Sequence, residues 1–213
     1  MRLRERKQSR GEEIANSISH GVGVIASIVA AAYLMLTTVR EGAPARIIGA
    51  GVFSVTMVLV YVTSTLYHAT TRERPKGVFR VLDHAAIFLL IAGTYTPFTL
   101  GVLRGRWGWT LLVVVWSLAI LGIVLTTVSR LRYPTLSTAL YVAMGWLMVV
   151  GVKPLWANME PWGLLWLLAG GVAYTGGVAF FAADRIRFGH LIWHLFVMAG
   201  TACHYIAVLE YSF

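Results

Sequence analysis

Charge is what this sequence most lacks. Charged residues make up 13% of the 213 positions and apolar residues 58%, against about 25% and about 45–50% in an ordinary soluble domain. Too few charges remain to coat a water-soluble globule of this length. Cysteine is nearly absent: Cys203 stands alone, which excludes an intrachain disulfide framework and leaves the redox compartment open. Two catalytic signatures are missing as well. Leu191 follows His190, so there is no His-Glu-x-x-His, and no Gly-x-Ser-x-Gly occurs, which disfavours the soluble metalloprotease and serine-hydrolase mechanisms. Neither a fixed-period repeat nor a low-complexity tract is present.

What the chain has in abundance is long apolar runs. They extend over approximately Ile18 to Val39, Ile47 to His68, Leu82 to Leu103, Trp109 to Val128, Leu136 to Leu155, Trp162 to Ala183 and Phe188 to Tyr211. Each suffices to cross hydrocarbon, which takes about 20 residues. The first run is longer than the roughly 7–15 residues of a signal-peptide core, so it is expected to stay as a helix. Connections are short, and a lone strand cannot survive in lipid. The expected fold class is all-α, a seven-transmembrane helix bundle, with residues 1–17 a basic N-terminal segment and residues 18–213 the membrane domain.

The net charge of +9 would suggest nucleic acid in a soluble protein. Here Lys and Arg sit between apolar runs, as membrane-orienting charges do, and no nucleic-acid partner is expected. On alternate sides of the membrane they are distributed unequally. The N-terminal side carries Arg2, Arg4, Arg6, Lys7, Arg10, Arg72, Arg74, Lys76, Arg80, Arg130, Arg132, Arg185 and Arg187; the other side carries Arg40, Arg46, Arg104, Arg106 and Lys153. The N-terminus is therefore expected to be cytoplasmic and the C-terminus outside. Trp107, Trp109, Trp156 and Trp162 fall at the outer helix ends, where indoles anchor at headgroup level.

Ionisable groups inside spans are costly and are functional candidates by default. Under this topology His20, His68, His84, His190 and His194 all lie toward the cytoplasmic leaflet. His190 and His194 are four apart, so they share a helix face one turn apart. That is zinc-ligand spacing, although it also fits a pair bonded to backbone carbonyls or headgroups. His68, at the same depth on the second span, supplies a third nitrogen, and three ligands plus water make an open catalytic zinc site. Asp83 is the nearest acid. It reads either as a carboxylate favoured by a helix N-terminus or as a group that holds and deprotonates a zinc-bound water. Ser64, one turn before His68, reads as a helix back-bond or packing residue, or as a hydroxyl beside the metal. Glu13, Asn16 and His20 share one helix face, either orienting the ligands or forming an interfacial polar edge. His204 lies about 15 Å beyond His194 along a helix, too far to share the metal. Pro97, after Tyr95 and Thr96, is expected to kink the third span, a matter of packing geometry, with a cavity wall as the alternative. Asp184 and Glu210 read as surface charges.

Taken together, Glu13-x-x-Asn16-x-x-Ser19-His20, Ser64-x-x-x-His68, Asp83 with Ala92-Gly93-Thr94-Tyr95-Thr96-Pro97, and His190-x-x-x-His194 followed by His204-Tyr205 resemble the hemolysin III family. This is the bacterial branch of the progestin and adipoQ receptor superfamily, and the resemblance runs from Glu13 to Tyr205. It implies seven helices, a cytoplasmic N-terminus and a zinc ion (Zn2+) on His68, His190 and His194, flanked by Asp83 and Ser64. It also implies a plasma-membrane location, inner membrane where there are two, and links to zinc-dependent hydrolysis of lipid amides, as in ceramidase-like relatives, and to control of membrane lipid composition or fluidity. Cytolysis by pore formation has been proposed for the bacterial branch. The eukaryotic receptors have a longer N-terminal domain than this sequence provides, so no hormone-binding role is expected to carry over.

Three functions compete. The first is an intramembrane zinc hydrolase acting on membrane lipid, with Asp83 as general base and Ser64 supporting the oxyanion. The second, a pore or channel, lacks a repeated polar stripe in the spans. The third, a sensor with structural zinc, would usually need four protein ligands. The sequence leaves substrate identity and oligomeric state open.

Overall fold

The computed structural model describes residues 8–129, 134–183 and 185–213. Arg2, Arg4, Arg6, Lys7, Arg130, Arg132 and Asp184 lie outside the described residues. Among the described residues, seven helices are long and apolar enough to span a membrane and no strand occurs, as the apolar runs predict. They are α1 (Arg10–Glu41), α2 (Pro44–Ala69), α3 (Glu73–Leu100), α4 (Arg106–Ser129), α5 (Pro134–Asn158), α6 (Pro161–Ala182) and α7 (Gly189–Tyr211).

Two helices begin well before their apolar runs. α1 starts at Arg10 because Ser9 caps it: the Ser9 hydroxyl accepts from the Glu12 N–H, and the Glu12 carboxylate accepts from the Ser9 N–H. This reciprocal capping box satisfies donors that would otherwise be orphaned. The second half of the basic N-terminal segment is thus the start of α1. α3 likewise begins at Glu73 rather than near Leu82. Hydropathy measures the hydrocarbon slab, whereas these helices run on into the headgroup region. α1 ends at Gly42, whose φ of 74° is the left-handed conformation that favours glycine.

α2 packs most extensively on α3 and on α1, α6 pairs with α7, and α1 also packs against α7. α1 shows the inside-out pattern of a membrane bundle. Glu12, Asn16, His20, Ser27 and Thr38 are buried, while Ile14, Ile18, Ile25, Val29 and Leu36 face outward. Outward-facing Trp107, Trp109, Trp156 and Trp162 suit the belt positions read from the sequence.

α5 is broken by a 3-10 stretch, Trp146–Gly151. Pro154 has no N–H to offer the Val150 carbonyl, and Gly145 and Gly151 bracket the break. The freed backbone groups are met from α3. The Tyr95 hydroxyl lies 2.8 Å and 3.0 Å from the Met144 and Gly145 carbonyls and accepts from the Met148 N–H at 2.8 Å. Tyr95, two residues before Pro97, therefore completes the backbone of α5.

The α2–α3 seam depends on small residues that let backbones approach. A Cβ on Gly93 would lie 2.1 Å from the Thr56 hydroxyl oxygen and 2.9 Å from its Cβ. Gly93→Ala should lower stability by about 1–3 kcal/mol, the usual cost of overpacking, and adding Thr56→Ala should recover part of it. Thermal unfolding of the purified protein in detergent checks this; an unchanged midpoint for Gly93→Ala would contradict the packing.

Candidate metal centre

The N-terminal ends of α1, α3 and α7 and the C-terminal end of α2 meet on one side of the bundle. Phe188 precedes α7 with a φ of 58°, an uncommon conformation for a bulky residue. Glu12 holds it there: one carboxylate oxygen accepts from the Phe188 N–H at 3.0 Å while the other caps α1. That clamp delivers His190 and, one turn later, His194 to the neighbourhood of α1.

His68 enters from the last turn of α2. Its Nδ1 lies 2.8 Å from one oxygen of Glu13, whose other oxygen accepts from Lys76 Nζ at 2.8 Å. A carboxylate can only accept here, so the His68 proton sits on Nδ1 and the Nε2 lone pair is left free. That Nε2 is buried and has no hydrogen-bond partner among the described residues. His194 is oriented in the same way. The Ser19 hydroxyl donates its one proton to the Asn16 carbonyl at 2.8 Å and so accepts from His194 Nδ1 at 3.0 Å, which turns the Nε2 lone pair away from α1. One nitrogen from each of His68, His190 and His194 falls within 4.8 Å of the others. His20 stacks on His194 with ring centroids 3.5 Å apart and planes 9° from parallel.

An unpartnered imidazole nitrogen at this depth is costly, and a shared cation satisfies it together with two others. Three imidazoles suit a divalent transition metal and leave a coordination position for water. The donor set fits a metal. Glu13 and Ser19 fill the role of carboxylate and hydroxyl partners that fix tautomer and ring orientation.

The model of the family described as "Haemolysin-III related" matches residues 8–205. The chain belongs to the hemolysin III family. It is 46% identical over 200 residues to the "Hemolysin-3 homolog" of Bacillus subtilis (strain 168), covering 94% of each chain. It is also 46% identical to "Hemolysin-3" of Bacillus cereus, covering 94% of this chain and 91% of that one. At greater distance it is 28% identical over 214 residues to the human "Monocyte to macrophage differentiation factor", covering 95% and 85%.

In this hemolysin III protein an apolar cavity of about 120 Å³ opens beside the histidines. Ser64, Asp83, His84, Tyr141, His190 and His194 line one end, and it runs between α3, α5, α6 and α7 as far as His204. Asp83 and Ser64 therefore share a space with two of the three clustered histidines, and His68 is not part of its lining. His204 touches the Leu167 carbonyl at 3.2 Å and stands outside the metal cluster, as its spacing predicts. On the far side of His190 lies a separate small pocket of about 40 Å³, lined in part by Gln8 and Glu12.

Glu13, Asn16 and His20 all come to the site, by different means. Glu13 touches a ligand directly, Asn16 acts through its carbonyl on Ser19, and His20 stacks. Sequence reasoning missed Glu12 and Ser19 as working residues. Glu12, Asn16 and His20 form the fully buried stripe at i, i+4 and i+8, so a four-residue period would have found Glu12. No comparable signal marks Ser19, which depends on where α7 lands.

Replacing His68, His190 or His194 with Ala should cut metal content sharply, and Glu13→Gln should weaken metal affinity about 10–100-fold, the usual cost of losing an orienting partner. His204→Ala should leave metal content unchanged. Elemental analysis of each purified variant, with competitive chelation for Glu13→Gln, reads all of these; equal loss in His204→Ala would mean that metal content follows fold integrity alone.

Proposed function

We propose that this hemolysin III protein is a zinc-dependent intramembrane hydrolase acting on lipid amides, and that it thereby adjusts membrane lipid composition. The observation that carries the reading is the meeting of Asp83 and Ser64, from α3 and α2, with His190 and His194 at one end of an apolar cavity. An acyl chain suits such a lining. The small pocket at Gln8 and Glu12 offers a polar approach to His190 for water, separate from the lipid's path.

Bound zinc would supply Lewis acidity toward the scissile carbonyl and lower the pKa of a water held at the open position. Asp83 then accepts a proton from the attacking water as its oxygen bonds to the carbonyl carbon. The Ser64 hydroxyl donates to the carbonyl oxygen as negative charge develops there. When the C–N bond breaks, the proton held by Asp83 passes to the leaving nitrogen, giving a fatty acid and an amine. His68, kept in one tautomer by Glu13 and Lys76, and His194, kept in one tautomer by Ser19, need no reorganisation during these steps.

We place the site at the cytoplasmic leaflet of the plasma membrane. The excess of Lys and Arg on the N-terminal side supports this orientation, which with seven spans would leave the C-terminus outside. Reporter fusions at both termini test it: a C-terminal tag accessible only from the cytoplasm would overturn it.

The hydrolase reading turns on Asp83. Asn can still hydrogen-bond the water but cannot take its proton, and lost proton transfer typically costs about 10²–10⁴-fold in rate. Asp83→Asn should therefore keep most of its zinc yet lose amide hydrolysis by that factor, read by metal analysis and by product release in liposomes. A zinc-loaded Asp83→Asn protein that alters lipids as the wild type does contradicts the reading, as does wild-type protein that leaks ions from liposomes without turning lipid over.

A further inference from the structure

His84 stands one residue after Asp83 on α3, and its ring lines the same cavity. Its Nδ1 is 2.9 Å from the Arg80 carbonyl, one turn earlier on the helix, and 3.5 Å from an Asp83 oxygen. Both neighbours only accept, so the ring proton is fixed on Nδ1. The neutral ring consequently presents the Nε2 lone pair, to which no described residue donates. The Tyr141 hydroxyl, from α5, is turned to the His84 backbone carbonyl at 2.9 Å.

Phe181 lies against both His84 and His190, with ring centroids 6.5 Å and 6.0 Å away, so this acceptor belongs to the wall beside the metal cluster. The surrounding lining is apolar, with Ile87, Val178 and Phe181. A lone acceptor in such a wall costs free energy unless the occupant brings a donor. Among acyl compounds that a hydrolase could cleave, a secondary amide brings an N–H. An ester or a tertiary amide brings none.

We propose that His84 is a specificity-determining residue whose Nε2 accepts the N–H of a bound secondary amide, so that the site takes secondary lipid amides in preference to esters and tertiary amides. The proposal rests on the lipid-amide reading of the cavity. It also gives the leaving nitrogen an orientation. With its N–H held by His84, the developing lone pair is free to take the proton from the adjacent Asp83, and the C–N bond breaks to an amine.

The test measures binding and turnover separately, using full-length metal-loaded protein in liposomes with three ligands of one chain length: N-ethyl octadecanamide, N-ethyl-N-methyl octadecanamide and ethyl octadecanoate. Binding is read from the fluorescence of Trp146 and Trp193, which line the cavity. Wild type should bind the secondary amide about tenfold more tightly than either analogue, the effect of one neutral hydrogen bond to a group otherwise left unpaired. His84→Phe should abolish that preference while retaining zinc. His84→Gln, whose side-chain oxygen reaches about as far as Nε2, should restore it.

Equal binding of the three ligands by wild type overturns the proposal without any variant having to fold. A preference that survives in His84→Phe overturns it too. Turnover without selectivity removes the role of His84 and leaves the hydrolase standing, whereas selective binding without turnover supports the role of His84 and removes the hydrolase.

Discussion

An imidazole nitrogen buried at membrane depth must find a partner, and the N-terminal side of this bundle is arranged around that requirement. The decisive contact is between Glu13 and His68. It joins α1 to α2, and through Lys76 it draws in α3. By fixing the proton on Nδ1 it leaves Nε2 as a buried acceptor that only a cation or an external donor can satisfy. Ser19 imposes the same constraint on His194 from nearly two turns further along α1. α1 therefore orients two of the three clustered histidines without contributing a nitrogen to the cluster.

The second constraint is the placement of α7. Its first turn carries His190, and its start is set by Glu12, which also caps α1. One carboxylate thus couples the beginning of the first helix to the beginning of the last. Because α1 also packs along α7, the histidines from α2 and α7 converge although more than a hundred residues separate them. Asp83 and Ser64 then complete a polar end to an otherwise apolar cavity. An apolar cavity on one side of His190 and a small polar pocket on the other are what the proposed cleavage of an amphiphile calls for.

Much of this was legible in the sequence, for identifiable reasons. The seven spans follow from hydrocarbon thickness, and the histidines group because their depths can be counted from helix ends. Helix starts were less legible: α1 and α3 extend beyond the slab through polar turns that hydropathy does not register. The break in α5 was missed because its cause is partly tertiary, with Tyr95 supplying hydrogen bonds that a regular helix would make itself. Ser19 was illegible because it has meaning only against His194, far away in the chain, and the free nitrogen of His84 because the sequence does not show which way its ring turns toward the Arg80 carbonyl. Glu13, Asn16 and His20 were found as one face, yet the buried period of four through Glu12 was hidden beside them.

The central claim is that three histidines hold a metal with one position left open. X-ray absorption at the zinc edge, on protein purified from metal-replete cells, tests it most directly. Three imidazole nitrogens and one further oxygen at about 2.0–2.1 Å, with the zinc signal largely lost in His194→Ala, is the predicted result. Four imidazoles, bringing His20 into coordination and closing the site, or no ordered metal at all, would contradict the account.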